Sequence, residues 1–437
     1  MTDMNWRTLT QVGADTPTGA MLRSYWQPVL LSSELSERDG PPLRVRLLGE
    51  DLIAFRDTSG AVGLVGTHCP HRGASLFFGR NEQHGLRCIY HGWKFDRTGR
   101  CLEMPNEPPE SEFKDRIRHL AYPCEERGGI IWAYMGPEGK APALPDFEWL
   151  HVADSQRYIT KHTQDCNWLQ ALEGDMDSSH VGFLHSTLDK RVPGVATADG
   201  GPARQYLANS LQPRFEVMPT EFGLVIGARR PVGEEKDYWR VTAYVMPFYA
   251  LIPPTGDAPL RVNIWHPTDD EHTMVWRIDY HPVRPISAAE LDNFRSGLFA
   301  HVNPAEYLPP DSGPGSRWRP LANKDNDYLI DRDAQRGSSF SGLKGFWLQD
   351  RVVTESMGPI YDRRQENLRS SDAGVVQVRR LLLRTLERMQ EGHAPPAIDP
   401  ALHRARAVAM ELPRTASWID AVGSPTHAQA GSWRVSP

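Results

Sequence analysis

The chain has 437 residues, of which 40% are hydrophobic and 24% are charged, and its formal net charge is -6. A chain of this length is too long to fold around one small hydrophobic core, so we expect an ordinary globular protein with two or three domains. The acidic balance gives no basis for nucleic acid or an anionic membrane as a partner, and no window approaches the roughly 20 apolar residues of a transmembrane helix.

The first part of the chain is predicted to be a short helix followed by strands. Residues 19–27, GAMLRSYWQ, predict an N-terminal helix. Residues 43–65, LRVRLLGEDLIAFRDTSGAVGLV, alternate in hydrophobicity and break at Gly49 and at Gly60, as antiparallel hairpins do. Residues 128–137, GGIIWAYMGP, predict another strand of the same β unit, and the proline-rich residues that follow it predict a linker.

Two pairs of metal-binding residue types lie inside this β unit. Cys69 and His71 form the first pair, and Cys88 and His91 form the second. Common zinc sites pair Cys with Cys and His with His, whereas here each loop supplies one of each. A Rieske [2Fe-2S] cluster needs two Cys on one iron and two His on the other, so the spacing favours that cluster over zinc.

The second part of the chain mixes helices with long strands. Residues 167–185, NWLQALEGDMDSSHVGFLH, are predicted to be a helix, and residues 372–392 predict a strong amphipathic helix that ends at Gly392. Strand-like runs lie between them at residues 214–230, 238–247 and 273–283. The sequence therefore predicts a small all-β domain followed by a larger α+β domain.

A second possible metal site lies in the predicted helix 167–185. At about 100° per residue, Asp177 lies between His180 and His185, and the two histidines are about 140° apart. A local break, for which Gly182 is the candidate, would bring them together. Two His and one carboxylate form the facial triad of non-haem Fe(II) enzymes. Spacing alone leaves the carboxylate open among three acidic residues of the segment 349–363, namely Asp350, Glu355 and Asp362.

Three stretches of the sequence carry a family resemblance. CPHRGA and CIYHGWKFD strongly resemble the Rieske domains of ring-hydroxylating oxygenases, and NWLQALEGDMDSSHVGFLHS is similar to the catalytic motif of Rieske non-haem iron oxygenases. QDRVVTESMGPIYDR extends the resemblance toward the C-terminus. The chain resembles in particular the terminal oxygenase (alpha) components of the phthalate dioxygenase-like group. Respiratory Rieske proteins carry a loop disulfide, but this chain has Ala74 at the matching position, which favours the oxygenase type.

The resemblance implies a fold and a division of the chain. It implies an α+β protein in which an N-terminal all-β Rieske domain precedes a catalytic domain with an antiparallel sheet flanked by helices, of the helix-grip or START-like kind. The expected segments are an N-terminal helix packing on the catalytic domain (1–25), the Rieske domain (26–138), a linker (139–155) and the mononuclear iron domain (156–437).

The resemblance also assigns roles to residues. Cys69, His71, Cys88 and His91 would hold the [2Fe-2S] cluster, while His180, His185 and Asp350 would hold Fe(II). Asp177 would accept a hydrogen bond from His91 of a neighbouring subunit and would also hold His180. Expected substrate contacts are Ser178, Phe183, Arg214 and Arg240. The two arginines could pair with a carboxylate of the substrate. Further candidates for the apolar wall are Leu184, Ile226, Tyr244 and Met246.

The implied reaction determines the partners. A terminal oxygenase takes electrons through the cluster to the iron, where O₂ is activated to hydroxylate an aromatic acid or to cleave an aryl ether by O-demethylation. The chain lacks a G-x-G-x-x-G nucleotide motif between a strand and a helix, so a separate flavin and iron–sulfur reductase is expected to use NADH. Because the proline-rich linker separates the two metal sites, we expect a head-to-tail ring of subunits. The resemblance implies that this ring is a homotrimer, or part of a hexamer of stacked trimers.

The compartment and the rival functions complete these expectations. The N-terminus has no basic segment followed by an apolar stretch, and the five cysteines are sparse, so we expect a cytoplasmic protein with reduced thiols. One rival is a Rieske electron-transfer protein without oxygenase activity, and another is a metal-dependent hydrolase with structural zinc. Metal analysis separates the first rival, because the oxygenase needs about three irons per chain and the carrier about two.

Overall fold

The computed structural model describes residues 3–108, 110–188, 206–207 and 210–423. The chain divides into two compact units. The smaller unit holds Val12–Leu144 and Asp311–Ser316, and the larger unit holds Met1–Gln11, Pro145–Pro310 and Arg317–Pro437. Within the described residues, no helix combines the length and the apolar character that a membrane crossing requires.

The elements follow one another in this order. In the described part of the chain the α-helices are α1 (Asp3–Thr10), α2 (Pro17–Arg23), α3 (Trp168–Asp175), α4 (Ala288–Arg295), α5 (Arg332–Gly337), α6 (Phe346–Glu355), α7 (Ala373–Gln390) and α8 (Trp418–Gly423). The strands there are β1 (Trp26–Leu31), β2 (Leu43–Leu47), β3 (Glu50–Arg56), β4 (Val62–Gly66), β5 (Arg80–Glu82), β6 (Gly85–Arg87), β7 (Lys94–Phe95), β8 (Cys101–Glu103), β9 (Ala121–Tyr122), β10 (Cys124–Arg127), β11 (Ile130–Tyr134), β12 (Arg157–Gln164), β13 (Arg214–Thr220), β14 (Gly223–Val232), β15 (Lys236–Val245), β16 (Tyr249–Ile252), β17 (Leu260–Pro267), β18 (Thr273–Tyr280) and β19 (Val408–Pro413).

The smaller unit is built from short antiparallel sheets. Their strand orders are β1-β11-β10, β2-β3-β4-β9 and β5-β6-β7-β8. The predicted hairpins are confirmed, because β3 pairs antiparallel with both β2 and β4. Leu48 and Gly49 both have positive φ at the first turn, as tight hairpin turns require. Ile53, Phe55, Leu86 and Phe95 share a buried core with the side chains near the predicted cluster.

Helix α2 belongs to the smaller unit, which differs from the expected grouping of residues 1–25 with the catalytic domain. Arg23, at the end of α2, donates to the carbonyls of Val12 and Leu48 and pairs with Glu50 at 2.8 Å. These bonds tie α2 to the turn between β2 and β3. Only α1 lies in the larger unit, where the carbonyl of Thr10 accepts from the side chain of Asn167.

The larger unit contains one antiparallel sheet with helices packed against it, as predicted. Its strand order is β12-β18-β17-β16-β15-β14-β13, and β19 pairs with β15. Helix α3 contacts β17 and α6, and helix α7 contacts β13 and β14. The predicted amphipathic helix 372–392 is confirmed as α7. Every strand pair in this sheet is antiparallel, so neighbouring strands present alternate residues to one face.

A buried ion-pair network joins α3 to α7. The guanidinium of Arg379 donates to both carboxylate oxygens of Glu173 and to both of Glu366. Arg363 donates to Glu173 as well. Burial alone would raise the pKa of Glu173, but Arg363 and Arg379 outweigh burial and lower it. The carboxylate is therefore charged and fully paired in the folded protein.

The predicted helix 167–185 is shorter than expected. Helix α3 ends at Asp175, and a separate 3₁₀ turn spans His180–Gly182. The break therefore precedes His180 and does not lie at Gly182. Its cause is local, because the Asp177 carboxylate accepts from the backbone N–H of Ser179 at 2.6 Å and from the Ser179 hydroxyl. Short polar side chains of this kind compete with the helical hydrogen bonds of the backbone.

Candidate functional site

Two turns of the same design carry the predicted cluster residues. In the first turn the Cys69 N–H donates to the Ala74 carbonyl at 2.8 Å, and the Gly73 N–H donates to the Cys69 carbonyl at 2.9 Å. In the second turn the Cys88 N–H donates to the Trp93 carbonyl at 2.8 Å, and the Gly92 N–H donates to the Cys88 carbonyl at 2.9 Å. Gly73 and Gly92 have φ of 73° and 79°, a conformation that glycine adopts without steric cost.

The four predicted cluster residues converge at these turns. Cys69 and Cys88 are buried, at 2% and 3% exposure, while His71 and His91 are partly exposed. The two imidazole centroids lie 4.5 Å apart, and His71 stacks on Trp93 at 4.4 Å. Burial raises the pKa of the Cys69 thiol to about 11, and the nearby Cys88 thiol acts in the same direction. Two thiols and two imidazoles in one place fit a Rieske [2Fe-2S] cluster.

The larger unit brings His180, His185 and Asp350 together. One ligand atom from each lies within 4.8 Å of the others, the spacing of a metal site. The Asp350 Oδ1 atom is 3.1 Å from His185 Nε2 and 3.7 Å from His180 Nε2. Burial alone would raise the pKa of Asp350, but His185 and His180 outweigh burial and lower it. Two imidazoles and one ionised carboxylate fit a facial triad for Fe(II).

The other two acidic candidates have structural partners. Glu355 accepts from Arg351 at 2.6 Å, from the Asp165 N–H at 2.8 Å and from Tyr328 at 2.7 Å. Asp362 caps a 3₁₀ turn and pairs with Arg364. Neither residue joins the three-residue group, so geometry favours Asp350 among the alternatives that spacing left open.

Each histidine of the triad has a different partner behind it. The Nδ1 atom of His180 lies 3.6 Å from the Asp177 carboxylate. The Nδ1 atom of His185 lies 2.6 Å from the side-chain oxygen of Gln349. Burial alone would lower the pKa of His180, but Asp177 and Asp350 outweigh it and raise the pKa. Sequence reasoning missed Gln349, although its place beside Asp350 on α6 was a usable signal.

A cavity of about 600 Å³ opens beside the triad. The predicted residues Asp177, Ser178 and Arg240 line it together with the triad. The wall also includes Asp175, Asn263, Arg277, Phe299 and Phe346. A cavity of this size that is reached by a few polar groups is typical of a small-molecule site.

Several predicted substrate contacts lie elsewhere. Arg214 is exposed at the start of β13, and Phe183 is 46% exposed and contacts Phe340. Leu184, Ile226, Tyr244 and Met246 are also absent from the wall of the cavity. Tyr244 is buried at the far end of β15, where its hydroxyl donates to the Pro247 carbonyl at 2.7 Å. The cavity faces the other half of β15, at Arg240 and Thr242.

Some arginines on the cavity wall have a carboxylate partner and others do not among the described residues. Arg261 pairs with Asp279 at 2.9 Å, and Arg284 pairs with Glu290 at 2.8 Å. Arg277 is only 3% exposed and lies over the Trp265 ring at 4.8 Å. Within the part of the chain that the structure describes, neither Arg240 nor Arg277 has a carboxylate at ion-pair distance. The negative charges of Asp175 and Asp350 nevertheless act on Arg277. Arg240 is therefore the guanidinium that is more available to an anionic ligand.

A small polar cluster lies around Asp175 and Ser178. The Asp175 carboxylate accepts from Asn263 at 2.8 Å and from the Trp265 indole at 2.6 Å, and its pKa is raised by burial. Arg230 donates to the Ser178 carbonyl at 2.6 Å. Burial lowers the pKa of Arg230 to about 10. Arg230 therefore holds the backbone between Asp177 and the 3₁₀ turn.

The fold and both sites define the class of protein. Residues 25–121 match the family model of the Rieske [2Fe-2S] domain, and residues 133–428 match the model described as LigXa C-terminal domain like. The crystal structure of dicamba monooxygenase bound to 3,6-dichlorosalicylic acid has the same fold, with a TM-score of 0.58 and 20% identity over 86% of this chain and 100% of that chain. The chain belongs to the Rieske oxygenases and is an oxidoreductase.

Its curated relatives include oxygenase subunits. The chain is 40% identical over 402 residues to the 3-chlorobenzoate-3,4-dioxygenase oxygenase subunit of Comamonas testosteroni, and the match covers 90% of each chain. It is 40% identical over 391 residues to the phthalate 4,5-dioxygenase oxygenase subunit of Pseudomonas putida, covering 88% of this chain and 86% of that one. It is 35% identical over 404 residues to the 5,5'-dehydrodivanillate O-demethylase oxygenase subunit of a Sphingobium species, and the match covers 91% of this chain and 84% of that one.

Proposed function

We propose that this chain is the terminal oxygenase of a system that hydroxylates an aromatic acid or removes an O-alkyl group from one. The observation that carries the proposal is a triad of His180, His185 and Asp350 that opens on a cavity with Arg240 in its wall. Among the described residues, Arg240 has no carboxylate at ion-pair distance. The names of the relatives support this substrate class, because benzoate, phthalate and vanillate derivatives all carry carboxylates.

The two donor sets would hold different metal groups. Cys69, His71, Cys88 and His91 would hold the [2Fe-2S] cluster, and His180, His185 and Asp350 would hold Fe(II). When bound, the cluster supplies single electrons and the iron supplies the place where O₂ is activated. The protein's task is to keep the triad in one geometry and to place the substrate beside it.

Residues around the cavity would bind and orient the substrate. Arg240 would pair with the carboxylate of the aromatic acid, and Arg277 lies on the same wall. Phe299 and Phe346 would pack against the ring and exclude water from the triad. The Ser178 hydroxyl also lines the cavity, but Arg230 lies 3.2 Å from its oxygen, so its orientation is already restricted.

The electron supply requires partners. A flavin and iron–sulfur reductase would take electrons from NADH and deliver them one at a time, and both proteins would act in the cytoplasm. Chains would assemble head to tail in a trimer, or a hexamer of stacked trimers, so that Asp177 of one subunit faces His91 of the next. The Asp177 carboxylate would then interact with a ligand of each metal group.

Turnover with a panel of aromatic acids tests the proposal. Purified protein with a generic reductase, NADH and O₂ should convert a subset of benzoates, phthalates and methoxybenzoates, with product mass as the readout. Arg240→Met should raise KM for the acids more than it lowers kcat, because the pairing is made in the ground state as well. Arg214→Met is the matched control, since Arg214 is exposed on the same sheet, and it should leave KM unchanged.

Consumption of NADH without any product across the panel, in protein that holds both metal groups, would reject the aromatic-acid class. Equal KM changes in Arg240→Met and Arg214→Met would reject the role of Arg240.

A further inference from the structure

Gln349 lies behind the iron triad and is itself nearly fully buried. Its side chain is 3% exposed, and its Oε1 atom lies 2.6 Å from His185 Nδ1. Its Nε2 atom donates to the carbonyl of Leu343 at 3.0 Å. Both ends of the amide are therefore occupied.

The carbonyl of Leu343 determines which way the amide points. A carbonyl only accepts, so the NH₂ group of Gln349 must face Leu343 and the oxygen must face His185. An amide oxygen also only accepts, so His185 must carry its proton on Nδ1. A neutral imidazole protonated at Nδ1 has its lone pair on Nε2, the atom that lies 3.1 Å from Asp350 Oδ1.

The backbone around Gln349 is held in place independently of any metal. The Gln349 N–H donates to the Gly345 carbonyl at 3.1 Å, in the first turn of α6. Gly345 has φ of 84°, and a Cβ there would lie 2.1 Å from the Gly297 carbonyl oxygen. The Trp347 indole donates to that same carbonyl at 3.0 Å. One turn of helix thus carries both a ligand, Asp350, and the group that orients another ligand.

The two histidines differ in the charge of the group behind them. His180 faces the carboxylate of Asp177, whereas His185 faces a neutral amide. A neutral acceptor fixes the ring and its tautomer without adding a negative charge beside Asp350. We propose that Gln349 is a positioning residue that holds His185 with Nε2 directed at the metal. This inference rests on the proposed function, because it takes the triad to be the Fe(II) site.

Fe(II) release provides a test that does not depend on turnover. Gln349→Met keeps the size of the side chain and removes the acceptor. Its mononuclear Fe(II) should pass to a ferrous chelator about 10- to 100-fold faster than in the wild type, the usual effect of removing such a partner. Absorption of the Rieske cluster should be unchanged, because the cluster lies in the other unit. A cooperative thermal unfolding transition shows that the unit carrying Gln349 is folded in the variant.

Two further variants separate positioning from stability. Gln349→Glu keeps an acceptor for His185 and should release Fe(II) more slowly than Gln349→Met. Gln170→Met is the structural control, because buried Gln170 donates to the carbonyls of Thr354 and Gly358 but is no part of the triad. It should lower the midpoint of thermal unfolding and leave Fe(II) release unchanged.

The outcomes separate the two proposals. Wild-type protein that never binds mononuclear Fe(II) would reject the iron site itself. Wild-type Fe(II) binding together with an unchanged release rate in Gln349→Met would overturn the role of Gln349 alone. Equal release from the Glu and Met variants would also overturn it, because the acceptor would then be irrelevant.

Discussion

Burial differs between the two residue types at the proposed cluster. The thiols of Cys69 and Cys88 are buried, and the imidazoles of His71 and His91 are partly exposed. A cluster held by these four residues would therefore have its histidine-bound iron nearer the surface, where electrons arrive and leave. The exposed side chains of Ile89 and Tyr90 flank this edge.

The cluster assignment predicts a clear difference between two buried cysteines. Cys88→Ser should bleach the red-brown colour and abolish the rhombic signal of the reduced cluster in electron paramagnetic resonance, because a hydroxyl replaces a thiolate ligand. Cys101→Ser removes a buried thiol that is not one of the four and should keep both signals. Stoichiometric zinc in a colourless wild-type protein would contradict the assignment.

The iron assignment predicts a similar contrast between two aspartates of one segment. Asp350→Ala should lower iron from about three to about two per chain and abolish turnover, because a facial triad with one ligand missing binds Fe(II) poorly. His180→Ala and His185→Ala should do the same. Asp362→Ala changes a partly exposed residue paired with Arg364 and should retain iron and activity. Full activity and iron content in Asp350→Ala would reject Asp350 as a ligand.

At the residue scale, ligand types were predictable and wall residues were not. Residue type and spacing indicated the two Cys–His pairs and the two histidines, whereas spacing left the carboxylate open among Asp350, Glu355 and Asp362, and only the family resemblance favoured Asp350. Arg214 and Arg240 look alike in a sequence of strands, and only the register of β13 to β15 decides which of them faces the cavity. Arg277 and Gln349 were missed because their roles depend on neighbours that are distant in sequence.

At the scale of elements, the break after α3 brings the two histidines of the proposed iron site together. The sequence predicted one helix through residue 185, and its 140° separation of the histidines required a break. Propensity suggested Gly182, but the bonds from Ser179 to Asp177 end the helix earlier. A side-chain hydrogen bond of this kind is difficult to predict, because Asp and Ser also occur on exposed helix faces.

The α3–α7 ion network predicts a stability effect that is separate from the metals. Arg379→Met leaves the carboxylates of Glu173 and Glu366 without their main partner, and breaking a buried pair on one side costs about 3–5 kcal/mol. The midpoint of denaturant unfolding should fall, while iron content per folded chain stays constant. Arg384→Met is the control and should have little effect, because Arg384 lies on the same helix but is exposed and bonds to the carbonyl of Arg380.

The same network has a pH dependence of known sign. The pKa of Glu173 is lower in the folded state than in the unfolded state, where it is about 4.3. The ion pairs of Glu173 therefore contribute fully to stability above the unfolded-state pKa, and this contribution is lost as the pH falls through the folded-state pKa. The difference in unfolding free energy between wild type and Arg379→Met should therefore shrink below about pH 4. A difference that grows in acid would contradict the pairing.

At the scale of the whole molecule, the proposed ring requires Asp177 to act between subunits. Asp177→Asn should keep both metal groups, because it ligates neither, and should slow the passage of electrons from the reduced cluster to the iron by orders of magnitude. Single-turnover oxidation of the cluster with substrate and O₂ measures this rate. Sedimentation of the wild type should show a trimer or hexamer. A wild type that is active as a strict monomer, or normal oxidation in Asp177→Asn, would reject the bridge.

The matching turns at Gly73 and Gly92 bear on how the protein is made. Each turn is closed by its own backbone hydrogen bonds, and none of these bonds involves iron or sulfide. Many small metal domains fold only when the metal binds. Here the smaller unit should fold first and accept its inorganic group afterwards, so that a chain stripped by acid or chelator can be reloaded with iron and sulfide and regain its colour without passing through denaturant. Maturation would then insert the cluster into a unit that has already folded.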